Sequence, residues 1–224
     1  MNALPTKPAG VHEQAIVASI QVGRVAPLGP DRVPSGFVKN TVEGPVEVRP
    51  LGLAGDEQAD LTVHGGLEKA VYFYPEEHYA QWLHDVPNHA DRLNHGGFGE
   101  NITSRGLTEQ TVAIGDVFVV GTSLMQVTQP RQPCFKLGLR FEDNSLGRLM
   151  IRTGRTGWYV RVIQNGSIQQ GDSITLTRRP NPDWTIARFN EFIVNRSASR
   201  AELEQLAGLE GLASNWREAL MESL

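Results

Sequence analysis

The chain has 224 residues, a formal net charge of −4 and one cysteine. That length suits one large domain or a domain with a small appendage, and 40% hydrophobic with 21% charged residues is the make-up of a soluble globular protein with a sizeable core. A lone thiol excludes an internal disulfide and Cys₄ or Cys₂His₂ zinc sites, the mixed charge lacks the basic stripe of a nucleic-acid binder, and apolar runs such as Val117–Val120 are too short to cross a bilayer.

Residues 1–14 read as a flexible leader without a signal-peptide core, and the reduced thiol fits a cytoplasmic protein. Alternation over Ile16–Val22 predicts a first strand, closed by Gly23. Short strands are expected around Phe37-Val38-Lys39 and Val46-Glu47-Val48, and a buried strand over Ala70–Tyr74. Pro75 is expected to open a helix over Glu76–Leu83, with its glutamates at the positive end of the dipole. From Asn101 to Thr177 the pattern is strand-rich. Val112–Val120 and Ile168–Leu176 each read as a Gly-Asp turn feeding a strand, and Asn165-Gly166 as a hairpin turn after Trp158–Gln164. Many short strands between turns predict a β-barrel over residues 15–179.

Prolines at 180 and 182 mark a boundary, and residues 183–224 read as a three-helix domain. Trp184, Ile186, Phe189, Phe192 and Ile193 share a helical face; Ser199-Arg200-Ala201-Glu202 is a capping box ahead of a helix that Gly208 can end; Trp216, Leu220 and Met221 mark the last helix. An appendage this small is marginal alone and should dock on the barrel.

Chemistry-bearing residues cluster in a few motifs. Cys134 ends Gln129-Pro130-Arg131-Gln132-Pro133-Cys134, where two prolines keep the backbone extended at a strand end. Arg131 favours a thiolate there or grips an anion. A buried apolar cysteine is the competing reading. Gly52-Leu53-Ala54-Gly55-Asp56 and His64-Gly65-Gly66 offer glycine turns whose N–H groups can approach an anion, or are simply turns. Gly96-Gly97-Phe98-Gly99-Glu100-Asn101 sets an amide in a glycine-rich loop or is a plain hairpin or bulge, and Arg155 and Thr156 lie in an Arg-Thr-Gly pattern suited to phosphate, or its arginines Arg152 and Arg155 are simply solvated. No P-loop and no G-x-S-x-G elbow is present.

Taken in order, Gly52-x-x-Gly55-Asp56, His64-Gly65-Gly66 with Lys69-Ala70-Val71, Phe98-Gly99-Glu100-Asn101, Gly115-Asp116, the Gln129–Cys134 motif and Gly157-Trp158-Tyr159 resemble the MOSC-domain family, of the bacterial YiiM type with a C-terminal three-helix domain. The resemblance spans nearly the whole chain. It implies a β-barrel with peripheral helices, bound molybdenum cofactor (molybdopterin), and reduction of N-hydroxylated compounds such as N-hydroxylaminopurines and hydroxyurea-like molecules. Cys134 is then the protein ligand of molybdenum, with Asn101, His64 and Asp56 as candidates for catalysis. Arg131, Gly65, Gly66, Arg155 and Thr156 are the candidates for cofactor binding. The expected partners are a small N-hydroxylated substrate and a separate electron-donating reductase, with a homodimer open and no nucleic acid or membrane. A non-catalytic cofactor carrier, or a sulfur carrier using a Cys134 persulfide, is the alternative; no pyridoxal-phosphate-binding region is present to generate sulfur.

Overall fold

A computed structural model describes residues 15–60, 65–195 and 199–224. The alternating segment forms β1 (Ile16–Val22), over the span its pattern predicts. A hairpin of β2 (Ala26–Leu28) and β3 (Val33–Ser35) follows, then β4 (Asn40–Thr41), β5 (Val46–Arg49) and β6 (Gly52–Leu53). The expected strand at Phe37-Val38-Lys39 is absent. Gly36 presses on the Glu57 carbonyl, where an added Cβ would lie 2.0 Å away, and the chain turns there to aim Phe37 and Lys39 into a cleft.

β7 (Val71–Pro75) leads into α1 (Glu77–Asp85), so Pro75 closes the strand and Glu76 precedes the helix. β8 (Ile102–Arg105), β9 (Val117–Val120) and β10 (Ser123–Pro130) follow. Within Val112–Val120 the expected Gly-Asp turn feeds the strand, and β9 takes the second half. The Asp116 carboxylate accepts from Ala113 N at 2.8 Å and folds the first half into a turn. Inside the block read as strands lie two helices, α2 (Phe135–Phe141) and α3 (Ser145–Thr153). β11 (Trp158–Gln164), β12 (Gly166–Ile168) and β13 (Ile174–Arg178) complete the strands. Asn165-Gly166 makes no hairpin. β11 pairs with β10 and β7, whereas β12 crosses to pair with β5, and Gly166 packs on the Thr122–Ser123 backbone.

The large sheet has the order β13-β9-β10-β11-β7-β8-β1-β4, with only β7 and β8 parallel. Its ends approach each other: Ile16 bridges to Ser173, and Ile174 N donates to Ala15 O at 2.7 Å. That contact curls the sheet into a barrel around Val17, Ile20, Phe73, Ile102, Met125 and Trp158. A second apolar cluster, with Trp82, Phe98, Phe141 and Leu146, seats the first three helices against β7.

The C-terminal helices are α4 (Ile186–Asn195), α5 (Arg200–Ala207) and α6 (Ser214–Glu222). The expected capping box is formed, Ser199 Oγ accepting from Glu202 N and Glu202 from Ser199 N. Phe189, Leu206 and Leu220 belong to the same buried cluster as the barrel interior, so the helices complete the core instead of forming a separate one. None of the described helices is long and apolar enough to cross a membrane.

Candidate functional site

β10 ends at Pro130, and Arg131 N is held by the Gly157 carbonyl at 3.2 Å. Three residues on, Cys134 precedes α2 with an extended backbone, φ −112° and ψ 168°. The strand end and the helix start together aim Arg131, Cys134 and Lys136 into one cleft. Asp56, Asn101, Lys39 and Gly65 line the same cleft from β1-facing loops, and Phe37, Tyr72 and Tyr159 give it aromatic walls.

Two cations there stand out. Arg131 is 3% exposed and Lys136 8%, and among the described residues neither has a carboxylate partner. The Arg131 guanidinium lies 5.5 Å from the Tyr72 ring centre and 5.9 Å from that of Phe37, and its Nη1 donates to Met150 Sδ at 3.2 Å. Burial pulls the Arg131 pKa down, but the facing Tyr72, Tyr159 and Cys134 groups raise it above its ordinary value. Burial also pushes the Tyr72 and Tyr159 hydroxyls up, with Arg131 opposing. Two buried cations without a carboxylate partner, one of them packed against neutral rings, favour an anion entering the cleft.

On the facing wall, the Asp56 carboxylate accepts from Gly23 N at 2.9 Å, Asn101 Nδ2 at 2.8 Å, Gln58 Nε2 at 3.3 Å and the Lys39 ammonium. Burial lowers the Lys39 pKa, and Asp56 recovers only part of that shift. Asn101 is engaged on every side: its Nδ2 also donates to Gln21 O at 3.3 Å, and its Oδ1 accepts from Tyr72 N at 3.1 Å. It ties β1, β7 and Asp56 together, so its amide positions the wall and has little left for substrate. The neighbouring Glu100 is fully buried and accepts from Gly96 N at 2.7 Å, Phe98 N at 3.2 Å and Thr103 Oγ1 at 3.0 Å, which shapes the glycine loop from inside.

Gly65 lines the cleft with φ +77°, and Gly66, with φ +80°, starts a 3₁₀ turn over Leu67–Lys69. His64 lies outside the described residues. Arg155 and Thr156 do not join the site. Gly154 ends α3 with φ +69°, and the chain leaves it towards α1. There the Arg155 guanidinium sits 4.1 Å from the Trp82 ring centre and pairs with Asp85, while Thr156 Oγ1 accepts from Asn190 Nδ2 at 2.9 Å. The sequence reading missed Lys39, Tyr72, Tyr159 and Lys136. Lys136 was within reach, two residues past Cys134 in the same motif; Lys39 carries no local signal.

The MOSC-domain model matches residues 60–175, and the YiiM-like 3-alpha helix domain model matches residues 184–222. The chain is 35% identical over 193 residues to Protein YiiM of Escherichia coli K12, covering 86% of each. It is 36% identical over 200 residues to a protein of Gibberella moniliformis named Reductase, covering 89% of this chain but 35% of that longer protein. The crystal structure of YiiM from Geobacillus stearothermophilus superposes with a TM-score of 0.79 at 33% identity, covering 93% of this chain and 98% of that one. In sequence, fold and domain order alike, the chain belongs to the MOSC-domain family and carries the YiiM-like three-helix domain behind its MOSC domain.

Proposed function

We propose that the cleft holds molybdenum cofactor and that the protein is a reductase of N-hydroxylated compounds, with Cys134 as the metal's protein ligand. The observation that carries this reading is the meeting of the thiol with two buried cations, Arg131 and Lys136, that have no carboxylate partner among the described residues. MOSC domains are associated with this cofactor, and the Gibberella relative is named as a reductase. The donor set fits the group. A thiolate suits a soft, sulfur-rich metal centre, and Arg131 and Lys136 suit the phosphate of its pterin.

When bound, the cofactor supplies the two-electron chemistry by which R–NH–OH, two electrons and two protons become R–NH₂ and water. Lys39 Nζ holds a proton in the cleft wall. Its lowered pKa makes it a readier donor than a solvent-exposed lysine, and Asp56 fixes its position. Tyr72, Tyr159 and Phe37 enclose a flat substrate and keep water from the reacting oxygen. Electrons come from a separate reductase.

The test is turnover of an aryl hydroxylamine by cofactor-loaded protein with a chemical reductant, measured as amine formed. Wild-type protein is expected to turn over and Cys134→Ala to lose the activity. Cofactor-loaded wild-type protein that yields no amine, or an active Cys134→Ala, contradicts the reading.

A further inference from the structure

The 3₁₀ turn Leu67–Lys69 carries part of the cleft wall, since its last residue, Lys69, and Gly65 just before it line the cavity. Yet the turn buries no residue of its own, and Leu67 is 62% exposed. Apolar packing therefore holds it weakly, and its polar contacts carry more of its placement.

The contacts of the Glu68 carboxylate run away from the cleft, to β11 and to the helical domain. Glu68 Oε2 accepts from Ser214 N at 2.8 Å and Ser214 Oγ at 2.7 Å, and Oε1 accepts from Arg161 Nη2 at 2.9 Å. Ser214 opens α6, whose preceding residue, Ala213, has no side-chain oxygen with which to cap the exposed N–H groups. Glu68 supplies that cap from the barrel, and its charge suits the positive end of the helix. Arg161 Nη2 also donates to Gly211 O at 2.9 Å, and Ala213 N donates to Thr128 O at 3.1 Å. Thr128 Oγ1 in turn donates to the Glu68 carbonyl at 2.7 Å. The segment Gly211–Ser214 is thus stitched to β10, β11 and the cleft's turn around one carboxylate.

The geometry points to Glu68 as a positioning residue through which the three-helix domain sets the Gly65–Lys69 wall of the cleft. The helical domain is then a working part of the site although none of its residues lines the cavity. This inference rests on the cleft's geometry and not on which cofactor fills it.

The experiment uses the full chain without cofactor, as wild type, Glu68→Ala, Glu68→Gln and Ser214→Ala. Hydrogen exchange is read at the amides of Lys69 and Ala70, which bond to Gly66 O and Val160 O. Exchange there should speed about tenfold in Glu68→Ala, by less in Ser214→Ala, and be largely restored in Glu68→Gln, with β9 unchanged. The second readout is the rate ratio of iodoacetate to iodoacetamide at the single cysteine, which reports the cleft's pull on an anion. It should be about threefold lower in Glu68→Ala than in Glu68→Gln, which has lost the same charge, as Lys69 shifts. Unchanged exchange at Lys69 and Ala70, acceleration spread evenly over the whole chain, or an alkylation ratio equal in Glu68→Ala and Glu68→Gln overturns the proposal. None of these outcomes depends on molybdenum binding or on turnover.

Discussion

The Lys39 ammonium rests on the Asp56 carboxylate in the cleft wall with 7% and 2% of the two side chains exposed. Asp56 is the centre of the arrangement, since Gly23, Gln58 and Asn101 also donate to it. Asp56→Ala leaves the Lys39 charge buried and unpaired and strands three further donors. The expected loss is about 3–5 kcal/mol, read from urea unfolding. Lys39→Met with Asp56→Asn removes both charges and should recover part of that loss.

Lys39 also sets an expected pH dependence. Its folded pKa is lowered by burial, so its proton is lost at a lower pH than from an exposed lysine. If this proton is used in turnover, activity falls as pH rises through that lowered value, before an ordinary lysine would titrate. Lys39→Arg should shift the alkaline limb of the rate profile upward, because arginine holds its proton to higher pH. An alkaline limb that stays in place in Lys39→Arg contradicts the assignment.

Arg131 is expected to govern anion affinity. Arg131→Met keeps much of the volume against Tyr72 and Phe37 but removes the charge and fork. Cofactor affinity should drop about tenfold or more, the equivalent of about 1.4 kcal/mol, measured by cofactor retention on dialysis. Arg155→Met should leave retention unchanged and instead weaken the fold through lost contacts to Trp82 and Asp85.

Gly157 couples the barrel to Arg131. It has φ +66°, and an added Cβ would lie 2.2 Å from Phe73 O. Its N donates to Glu109 Oε1 at 2.6 Å and its O accepts from Arg131 N. Gly157→Ala should cost at least about 1–3 kcal/mol of stability from backbone strain, seen as a lowered Tm, and should weaken cofactor retention with it.

Local patterns carried the elements whose signal is local. The alternation of Ile16–Val22 and the Ser199–Glu202 capping box led to β1 and to the start of α5. α3 was legible too, through Leu146, Leu149 and Met150 at helical spacing, but the surrounding strand signals drew the reading away. Asn165-Gly166 failed for a different reason: a turn dipeptide says nothing about which strand the next segment joins, and β12 joins β5. At the site, Cys134 and Arg131 were readable because one rigid motif holds both. Arg155 was misplaced because its Arg-Thr-Gly context gives no direction, and Gly154 turns it to Trp82. Lys39 stayed hidden because its meaning lies in a partner 17 residues away and in burial that only the assembled fold creates.

The most direct measurement is the molybdenum content of protein purified from a cofactor-producing host, taken by elemental analysis for the wild type and Cys134→Ala. The account predicts about one molybdenum per wild-type chain and a near-complete loss in Cys134→Ala, with the variant's Tm close to the apo wild type. Equal molybdenum in the two proteins, or none in the wild type under conditions that load other molybdenum proteins, contradicts it.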